Sequence, residues 1–358
     1  MQAEQARQRQ YSTAWILLLA LLTALGPLSI DMYLPALPQM ADEFGVSMQM
    51  IANTLPAYFL GLAIGQLIYG PVSDRIGRKT PLYFGLGLYA LASLACVFET
   101  NEWAPILAPI FGAWILTFFP WQAIFITLAV IGIICWLCVH FFFKESLPVE
   151  RRLKLSFYQV TTLYAAILKD ESFRRPMFAG CLTGAALFCY ISSASAVFMG
   201  QYGLSQQQFS YAFAFNAAGI MLMSSINKHL NTRMDIFPRL CLGGTIQCFG
   251  AVIVVSAGLM NHAPLWLLMS GLFLAVSGIG LTGPNAMALA MSKQGARAGT
   301  ASAIMGSMQF ACGLLGGVIL NFLLWKASLN MGLMMLMFTS AGLFAIFKVE
   351  KQQDSISS

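Results

Sequence analysis

Apolar segments of membrane-crossing length recur along the whole chain, and they constrain its fold more than any other feature. A helix needs about 20 predominantly apolar residues to cross the hydrocarbon core of a bilayer. The backbone must satisfy its own hydrogen bonds there, so such segments are predicted to be α-helices. The sequence therefore predicts an all-α polytopic membrane protein. Its eleven candidate segments lie at about 14–35, 52–70, 81–98, 104–119, 121–143, 177–199, 209–227, 240–260, 264–290, 299–324 and 330–347.

Composition supports this class and argues against several others. The chain is 58% hydrophobic and only 9% charged, whereas soluble domains carry about 25% charged residues. The first apolar segment is too long for a cleaved signal peptide and is followed by further membrane segments, so it is interpreted as a span. The sequence contains no metalloprotease, hydrolase or phosphate-loop motif. Its eight cysteines and three histidines lack metal-ligand spacing, and we expect no enzyme activity, cofactor or metal.

Positive charges are distributed unevenly between the two predicted sides of the membrane. With the N-terminus inside, nineteen of the twenty Lys and Arg residues fall in the cytoplasm, and Lys326 alone falls outside. This bias sets membrane orientation. It also explains the net charge of +6 without a nucleic-acid partner. We therefore predict a protein of the cytoplasmic membrane with both termini in the cytoplasm.

The region 99–143 contains two apolar pieces but fits only one net crossing. It has no Lys or Arg before Lys144, and two crossings would place the basic central loop outside. Segment 104–119 is therefore predicted not to span independently. It could be re-entrant, lie at the outer surface, or form half a helix. Pro105, Pro109 and Pro120 interrupt the region, which favours a broken helix.

A charged loop at residues 70–79, Gly-Pro-Val-Ser-Asp-Arg-Ile-Gly-Arg-Lys, connects the second and third apolar segments. Gly70 and Gly77 would let two helix ends approach closely and turn tightly. Asp74 could pair with Arg75 or Arg78 and lie near the N-terminus of the next helix, where an acid is favoured. We interpret the loop as a charged latch in a conformational cycle. In the alternative, Arg75, Arg78 and Lys79 only anchor the topology.

Two polar side chains within apolar segments are candidates for function. Asp31 is the only acid inside such a segment, and an ionised carboxylate there costs up to about 2.5–3.5 kcal/mol. It therefore needs a partner or a proton, unless it simply marks the outer end of the first span. Asn285 follows Gly283-Pro284, a predicted helix break that could face a central cavity. Interhelical packing is the alternative for Asn285.

The loop pattern G-x-x-x-D-R-x-G-R-K resembles the signature of Major Facilitator Superfamily transporters. The run D-M-Y-L-P-A-L-P at 31–38 narrows the resemblance to the bicyclomycin-resistance (Bcr/CflA) exporters. That resemblance implies two six-helix bundles and a monomer that exports small hydrophobic drugs in exchange for protons. It also implies that Asp31 and Tyr33 couple proton and drug binding.

The predicted domains are unequal in length. We expect an incomplete first bundle at 1–143, a cytoplasmic central loop at 144–172, a six-helix second bundle at 173–347 and a disordered tail at 348–358. The central loop is mildly amphipathic, so it is either an interfacial helix or a linker. Compared with the resembling family, the fourth span and the start of the fifth are absent between Trp103 and Ala104. The total is then ten or eleven membrane segments instead of twelve.

The missing segment leaves two functions open. The family's fifth-span motif resumes with Pro105, Pro109 and Gly112. The resemblance implies an arginine on the fourth span beside the first-span acid, and no cation lies between Lys79 and Lys144. The chain is either a proton-coupled drug exporter or a truncated membrane protein that inserts without transporting.

Reporter fusions test the predicted topology. Fusions after Glu99, Ser146 and Asn261 should report outside, inside and outside, because the positive charges require this order. An outside signal at Ser146 would show that 104–119 crosses the membrane after all.

Overall fold

The computed structural model describes residues 13–98, 121–143, 145 and 157–357. Within these ranges the chain forms fourteen α-helices and no β-strand. The first half contains α1 Thr13–Asp31, a 3₁₀ turn Leu34–Ala36, α2 Leu37–Phe44, α3 Met48–Ala52, α4 Thr54–Ile76, α5 Lys79–Phe98 and α6 Gln122–Phe142.

The rest of the described chain forms a short connecting helix and six long helical stretches. The helices are α7 Phe157–Lys169, α8 Glu171–Ser195, α9 Gln206–Leu230, α10 Ile236–Leu259, α11 Leu265–Ser277, α12 Ile279–Met291, α13 Ala298–Phe322 and α14 Ala327–Ser357. Helix α8 continues directly into a π-helical turn, Ala196–Gln201. A 3₁₀ turn, Gly295–Arg297, precedes α13.

Eight helical stretches within the described ranges are long and apolar enough to cross a membrane. Two belong to the first half and six to the second, with α11 and α12 together forming one of the six. Helices α1 and α5, of 19 and 20 residues, have lengths that also suit a crossing. The predicted all-α polytopic membrane fold is thereby confirmed.

Three local features differ from, or refine, the sequence-based expectations. Helix α14 runs to Ser357, whereas a disordered tail was predicted from residue 348. Residues 348–357 include helix formers such as Lys, Glu and Gln, so the helix can continue beyond the apolar part. The amphipathic part of the central loop forms helix α7. The ninth apolar stretch is interrupted at Gly278, whereas the break was predicted at Gly283-Pro284.

The boundary between the halves is fixed by Asp170, which caps the N-terminus of α8. Its carboxylate accepts hydrogen bonds from the hydroxyl and the backbone N–H of Ser172, at 2.7 and 2.9 Å. These bonds hold the pKa of Asp170 below its usual range. Gln294 donates to the other carboxylate oxygen at 2.8 Å. The cap therefore also ties the start of α8 to the connection between α12 and α13.

Two backbone carbonyls that lack a donor within their own helix accept hydrogen bonds from side chains of other helices. Pro71 has no N–H, so the carbonyl of Leu67, four residues earlier in α4, loses its helical donor. The hydroxyl of Tyr164 in α7 donates to that carbonyl at 2.7 Å. At the interruption between α11 and α12, the buried amide of Gln247 donates to the carbonyl of Ala275 at 3.2 Å.

Glycines allow several helices to cross at backbone distance. A Cβ at Gly250 of α10 would lie 2.3 Å from the backbone nitrogen of Ala275 in α11. A Cβ at Gly306 of α13 would collide with the side-chain amide of Gln66 in α4. The α4–α13 contact joins the first half of the chain to the second.

The buried apolar side chains form two separate clusters. The larger contains residues from α1 to α4, from α6 and from all the helices of the second half. The smaller is made by α1, α5 and α6 alone, and its buried members are Leu18, Leu25, Leu86, Cys135, Val139 and Phe143. Helix α4 therefore packs more extensively on the second half than on its own sequence neighbours.

We predict that Gly250→Ala destabilises the protein although alanine favours helices. The new methyl group would meet the α11 backbone, which cannot move aside as a flexible side chain could. The melting temperature of purified protein should fall by several degrees in a fluorescence assay in detergent.

Gly61→Ala is the matched control, because no atom lies within 4 Å of a Cβ at that helical position. It should leave the melting temperature unchanged or raise it slightly, since glycine costs about 1 kcal/mol relative to alanine in a helix. Equal stability of the two variants would contradict the close α10–α11 crossing.

Candidate functional site

Asp31 is the last residue of α1 and lies between the two halves of the chain. It interacts electrostatically with the hydroxyls of Tyr58 on α4 and Tyr190 on α8. Within the described ranges, no hydrogen bond or ion pair engages its carboxylate. This acid is therefore within electrostatic reach of hydroxyls from both halves, with no cationic partner in the described part of the molecule.

Further hydroxyl and amide groups are connected to these two tyrosines. Tyr58 also interacts with Tyr89 on α5, whose hydroxyl lies 2.9 Å from the Ser29 hydroxyl on α1. On the other side, the Asn216 amide of α9 donates to the Tyr190 hydroxyl at 3.0 Å. We call Asp31, Tyr58, Tyr89, Tyr190 and Asn216 the Asp31 centre.

The chemistry available at the Asp31 centre is proton binding and hydrogen bonding. The free-energy cost of an ionised carboxylate in apolar surroundings is removed when it takes up a proton or binds a cation. The tyrosine hydroxyls can donate to or accept from a guest molecule. The Asn216 side-chain oxygen is buried and accepts no hydrogen bond from any described group. One ionisable group is thus combined with neutral polar groups from both halves.

Tyr33 does not contribute its hydroxyl to this centre. The side chain is fully buried, and its hydroxyl hydrogen-bonds to the Thr54 hydroxyl and approaches the Ile51 carbonyl at 3.4 Å. It thereby ties the chain after α1 to the junction of α3 and α4. In this conformation the side chain packs between these segments, and its predicted role in coupling stays a prediction.

The glycines of the loop at 70–79 occupy positions where a side chain would interfere. Gly70 faces α13, and a Cβ there would lie 2.9 Å from the Cβ of Ala303. Gly77 ends α4 with a φ of 100°, a region that L-residues rarely adopt. The loop therefore turns at Gly77 while its start packs against the second half.

The carboxylate at the N-terminus of α5 belongs to Glu145 and comes from beyond the end of α6. Its two oxygens accept from the backbone N–H groups of Arg78 and Lys79 at 3.0 and 3.1 Å. The ammonium of Lys79 donates to the carbonyl of His140 near the C-terminus of α6, at 3.1 Å. The negative carboxylate lies at the positive N-terminus of α5, and the positive ammonium lies at the negative C-terminus of α6, so the helix dipoles favour both contacts. Together the contacts join α5 to α6.

Of the remaining latch residues, the structure describes the side chains of Arg75 and Arg78 but not that of Asp74. Arg75 and Arg78 are exposed, and Arg78 also lines a cavity of about 790 Å³ between α4, α5 and α13. Asp74 lies in the last turn of α4, and its side chain is outside the described part of the structure. The predicted pairing of Asp74 with Arg75 or Arg78 thus stays a prediction. Pro105, Pro109, Gly112 and all of segment 104–119 also lie outside the described residues.

Asn285 lies in a buried polar cluster at the ends of α9, α10 and α12. It is 3% exposed, and its amide donates to Asn227 at 2.9 Å and to the Leu281 carbonyl at 2.8 Å. The guanidinium of Arg239 donates to the same Asn227 oxygen at 3.0 Å. The structure supports the interhelical packing alternative for Asn285 and corrects the cavity-facing one.

Sequence reasoning missed the residues whose roles depend on contacts distant in the chain. Glu145 lies 67 positions from Arg78, and no local pattern pairs them. Tyr190 is one aromatic residue among many. Asn216 did carry a signal, because an amide inside a membrane helix must find a partner.

Comparison with known proteins identifies the family. The sequence profile of the Major Facilitator Superfamily matches residues 19–104 and 100–317, in two segments that overlap at residues 100–104. The chain belongs to the Major Facilitator Superfamily. It is therefore a multi-pass membrane transport protein and not an enzyme, as the charged loop at 70–79 indicated.

Similar proteins cover most of the chain. The MFS-type transporter YdgK of Bacillus subtilis (strain 168) is 31% identical over 387 aligned positions, which cover 94% of this chain and 95% of the relative. A bicyclomycin resistance protein homolog of Haemophilus influenzae is 26% identical, with 87% and 89% covered. A chloramphenicol resistance protein of Pseudomonas aeruginosa is 26% identical, with 77% and 78% covered. The resemblance to the bicyclomycin-resistance family is thereby confirmed.

A solved structure shows the same fold. The human organic anion transporter MFSD10 superposes with a TM-score of 0.63 at 14% identity, over 88% of this chain and 89% of that one.

The 387 positions aligned with the Bacillus relative exceed the 358 residues of this chain. Gaps in this chain are therefore needed to align the two proteins.

We predict that Glu145→Gln weakens the capping of α5. The variant keeps one acceptor oxygen but loses the charge that favours a helix N-terminus. Hydrogen exchange at the amides of Arg78 and Lys79 should become about fivefold faster, since about 1 kcal/mol of hydrogen-bond stabilisation is lost.

The matched control is Glu43→Gln. The Glu43 carboxylate accepts from the Trp121 indole at 2.6 Å, next to the other end of α6. This variant should leave exchange at Arg78 and Lys79 unchanged. Unaltered exchange in Glu145→Gln would show that the carboxylate does not stabilise this helix end.

Proposed function

We propose that this protein is a drug:proton antiporter of the bacterial cytoplasmic membrane that exports small hydrophobic drugs by alternating access. The names of two similar proteins, a bicyclomycin resistance homolog and a chloramphenicol resistance protein, support drugs as the substrate class. The charge bias supports a cytoplasmic location for both termini. A monomer suffices, because both halves of the transport path belong to one chain.

The observation that carries the proposal is the Asp31 centre. Its acid lies on α1, and its hydroxyls come from α4 and α5 in the first half and α8 in the second. In alternating access the two halves rock about a binding site between them. A proton or a drug bound there would contact both halves, so its binding can bias their relative position.

The contact between α4 and α13 fits a movable interface. It extends from the hydrogen-bonded pair Asn53 and Asn321 to Gly70 opposite Ala303. Phe59 and Phe310 stack between these ends, with ring centroids 6.4 Å apart. The contact is made of glycines, amides and aromatic rings, with no ion pair among the described residues. Such a surface can open or slide without separating buried opposite charges.

Proton coupling depends on what stabilises the ionised form of Asp31. The family resemblance implies an arginine on the fourth span, and this chain has no cation between Lys79 and Lys144. The two profile segments overlap at residues 100–104, which include Trp103 and Ala104, and the alignment with YdgK requires gaps in this chain. These findings support an internal deletion there. We propose that the 358-residue form couples poorly because Asp31 lacks this cation.

Restoring the missing segment tests the proposal. Insertion of about 45 residues after Trp103, taken from the corresponding region of YdgK, should produce uncoupler-sensitive drug efflux in cells, since the insertion supplies the fourth span. The 358-residue chain should confer at least tenfold weaker resistance than the restored form at equal membrane abundance. Asp31→Asn in the restored form should abolish uphill export.

The outcomes separate the two functions. Robust uncoupler-sensitive efflux by the short chain would show that another group has taken the place of the arginine. Efflux by neither form would favour the second candidate, a truncated protein that inserts but does not transport. That candidate is supported by the deletion itself. Full efflux by Asp31→Asn in the restored form would exclude Asp31 from coupling.

A further inference from the structure

The cavity of about 790 Å³ between α4, α5 and α13 is a feature that the transport mechanism does not use. Its lining consists of α4 residues between 61 and 73, α5 residues between 85 and 92, α13 residues between 299 and 303, and Arg78. We call it the α4–α5 gap. It lies within the first half of the chain and borders the second.

The α4–α5 gap opens sideways, toward the hydrocarbon of the membrane. Leu88 belongs to its lining and is 58% exposed. The isoleucines that border it on α4, Ile64 and Ile68, are exposed as well. Lipid tails are as apolar as these side chains, so at this depth the bilayer itself covers the gap.

Glycines leave room inside the α4–α5 gap for an apolar chain. A Cβ at Gly61, Gly65 or Gly85 would meet no atom within 4 Å, and all three residues belong to the lining. Gly61 and Gly65 are four residues apart, so they lie on the same face of α4. Both helices therefore present open backbone to whatever enters between them.

The length of the α4–α5 gap matches one leaflet of a bilayer. On α4 the lining runs from Ser73 back to Gly61, a rise of about 18 Å along the helix axis. Half of the hydrocarbon core is about 15 Å thick. The end near Arg78 is the cytoplasmic one, because the loop at 70–79 is predicted to face the cytoplasm. The matching leaflet is therefore the cytoplasmic one.

Arg78 is the only charged residue in the lining of the α4–α5 gap. Within the described part of the molecule, no hydrogen bond or ion pair engages its guanidinium. The carboxylate of Glu145 accepts from the backbone N–H groups of Arg78 and Lys79 instead. The ammonium of Lys79 donates to the carbonyl of His140. The guanidinium of Arg78 is thus the described cation that an anion in the gap would meet.

The charges around this end of the α4–α5 gap favour an anion over a neutral guest. The three cations Arg75, Arg78 and Lys79 exceed the two acids Asp74 and Glu145 by one. An arginine binds phosphate oxygens through paired, charge-assisted hydrogen bonds. Basic pockets between membrane helices on the cytoplasmic side bind anionic lipid head groups in this way.

We propose that the α4–α5 gap binds an anionic phospholipid of the cytoplasmic leaflet, with its phosphate at the Arg78 guanidinium and an acyl chain between α4 and α5. The lipid would touch the first half through α4 and α5 and the second half through Ser302 and Ala303 of α13. Because it contacts both halves, it would stabilise the arrangement in which they enclose it.

Lipid binding to the purified full chain tests the proposal without requiring transport. Native mass spectrometry would compare phosphatidylglycerol, which is anionic, with phosphatidylcholine of the same acyl chains. Phosphatidylglycerol should bind about tenfold more tightly, as expected for a charge-assisted hydrogen bond. Glycerol 3-phosphate, a soluble head group without acyl chains, should not bind measurably, because the gap contributes most of its contact area to the chain.

Arg78→Gln should remove the preference for phosphatidylglycerol, so that both lipids bind alike. The matched control is Arg233→Gln, which removes the same charge from an exposed arginine between α9 and α10. Arg233 does not line the α4–α5 gap, and this variant should keep the tenfold preference.

Gly65→Leu tests the apolar part of the α4–α5 gap. The new side chain would occupy the space of about two methylene groups of the lipid, so both lipids should bind roughly tenfold more weakly. The variant should remain folded, because no atom lies within 4 Å of a Cβ there. Gly26→Leu is the matched control: Gly26 lies in α1, also faces open space, and is not part of the lining. It should leave lipid binding unchanged.

Each outcome supports or overturns the lipid site whether or not the chain exports drugs. Equal binding of the two lipids to the unmodified chain would overturn it. Equal losses of preference in Arg78→Gln and Arg233→Gln would also overturn it, because they would indicate a diffuse attraction to charge. Unchanged lipid binding in Gly65→Leu would show that another segment of this chain or a second copy fills the gap.

Discussion

Backbone hydrogen bonding is the constraint on which the rest of this structure depends. In hydrocarbon an unpaired carbonyl or N–H costs several kcal/mol, because no water can replace the missing partner. The chain satisfies most of these groups within helices. Where a helix is interrupted, another helix supplies the partner. The Tyr164 hydroxyl donates to the carbonyl of Leu67, which Pro71 cannot reach with an N–H, and the Gln247 amide donates to the carbonyl of Ala275 beside Gly278. Each interruption thereby becomes a link between helices.

Close helix crossings give the molecule its division into unequal parts. Gly250, Gly306 and Gly70 each lie where a methyl group would collide with a neighbouring helix. The last two attach α4 to α13, so α4 is more extensively packed on the second half than on α5. Helices α1, α5 and α6 keep a small apolar cluster of their own. A first bundle that lacks its fourth span would pack in this way, because α4 has fewer first-half helices to contact.

The sequence was sufficient for features set by local pattern and insufficient for those set by distant contacts. Apolar length predicted the membrane helices, and the pattern at 70–79 identified the family that the profile match confirms. The same pattern suggested Asp74 as the acid at the start of α5, but the described carboxylate there is Glu145. The run at 31–38 predicted a coupling role for Tyr33, but it gave no sign of the hydrogen bond between Tyr33 and Thr54, which the structure shows. The helix is interrupted at Gly278 rather than at Pro284, and α10 also approaches closely there: a Cβ at Gly278 would lie 2.5 Å from the side chain of Gln247. The local pattern does not show that approach.

A comparison of Arg239 with Asp31 shows what an ionised carboxylate at Asp31 would lack. Arg239 is 4% exposed, and the guanidinium of an arginine is a charged donor that needs acceptors. The fold surrounds it with acceptors: the side chains of Asn227 and Asn231 and the carbonyl of Asp235. Asp31 receives no comparable set of donors from the described chain, and its neighbours there are tyrosine hydroxyls. A carboxyl group can instead become neutral by taking up a proton. The fold therefore needs no permanent partner for Asp31, whereas release of that proton requires some group to stabilise the anion, the role expected of a cation on the fourth span.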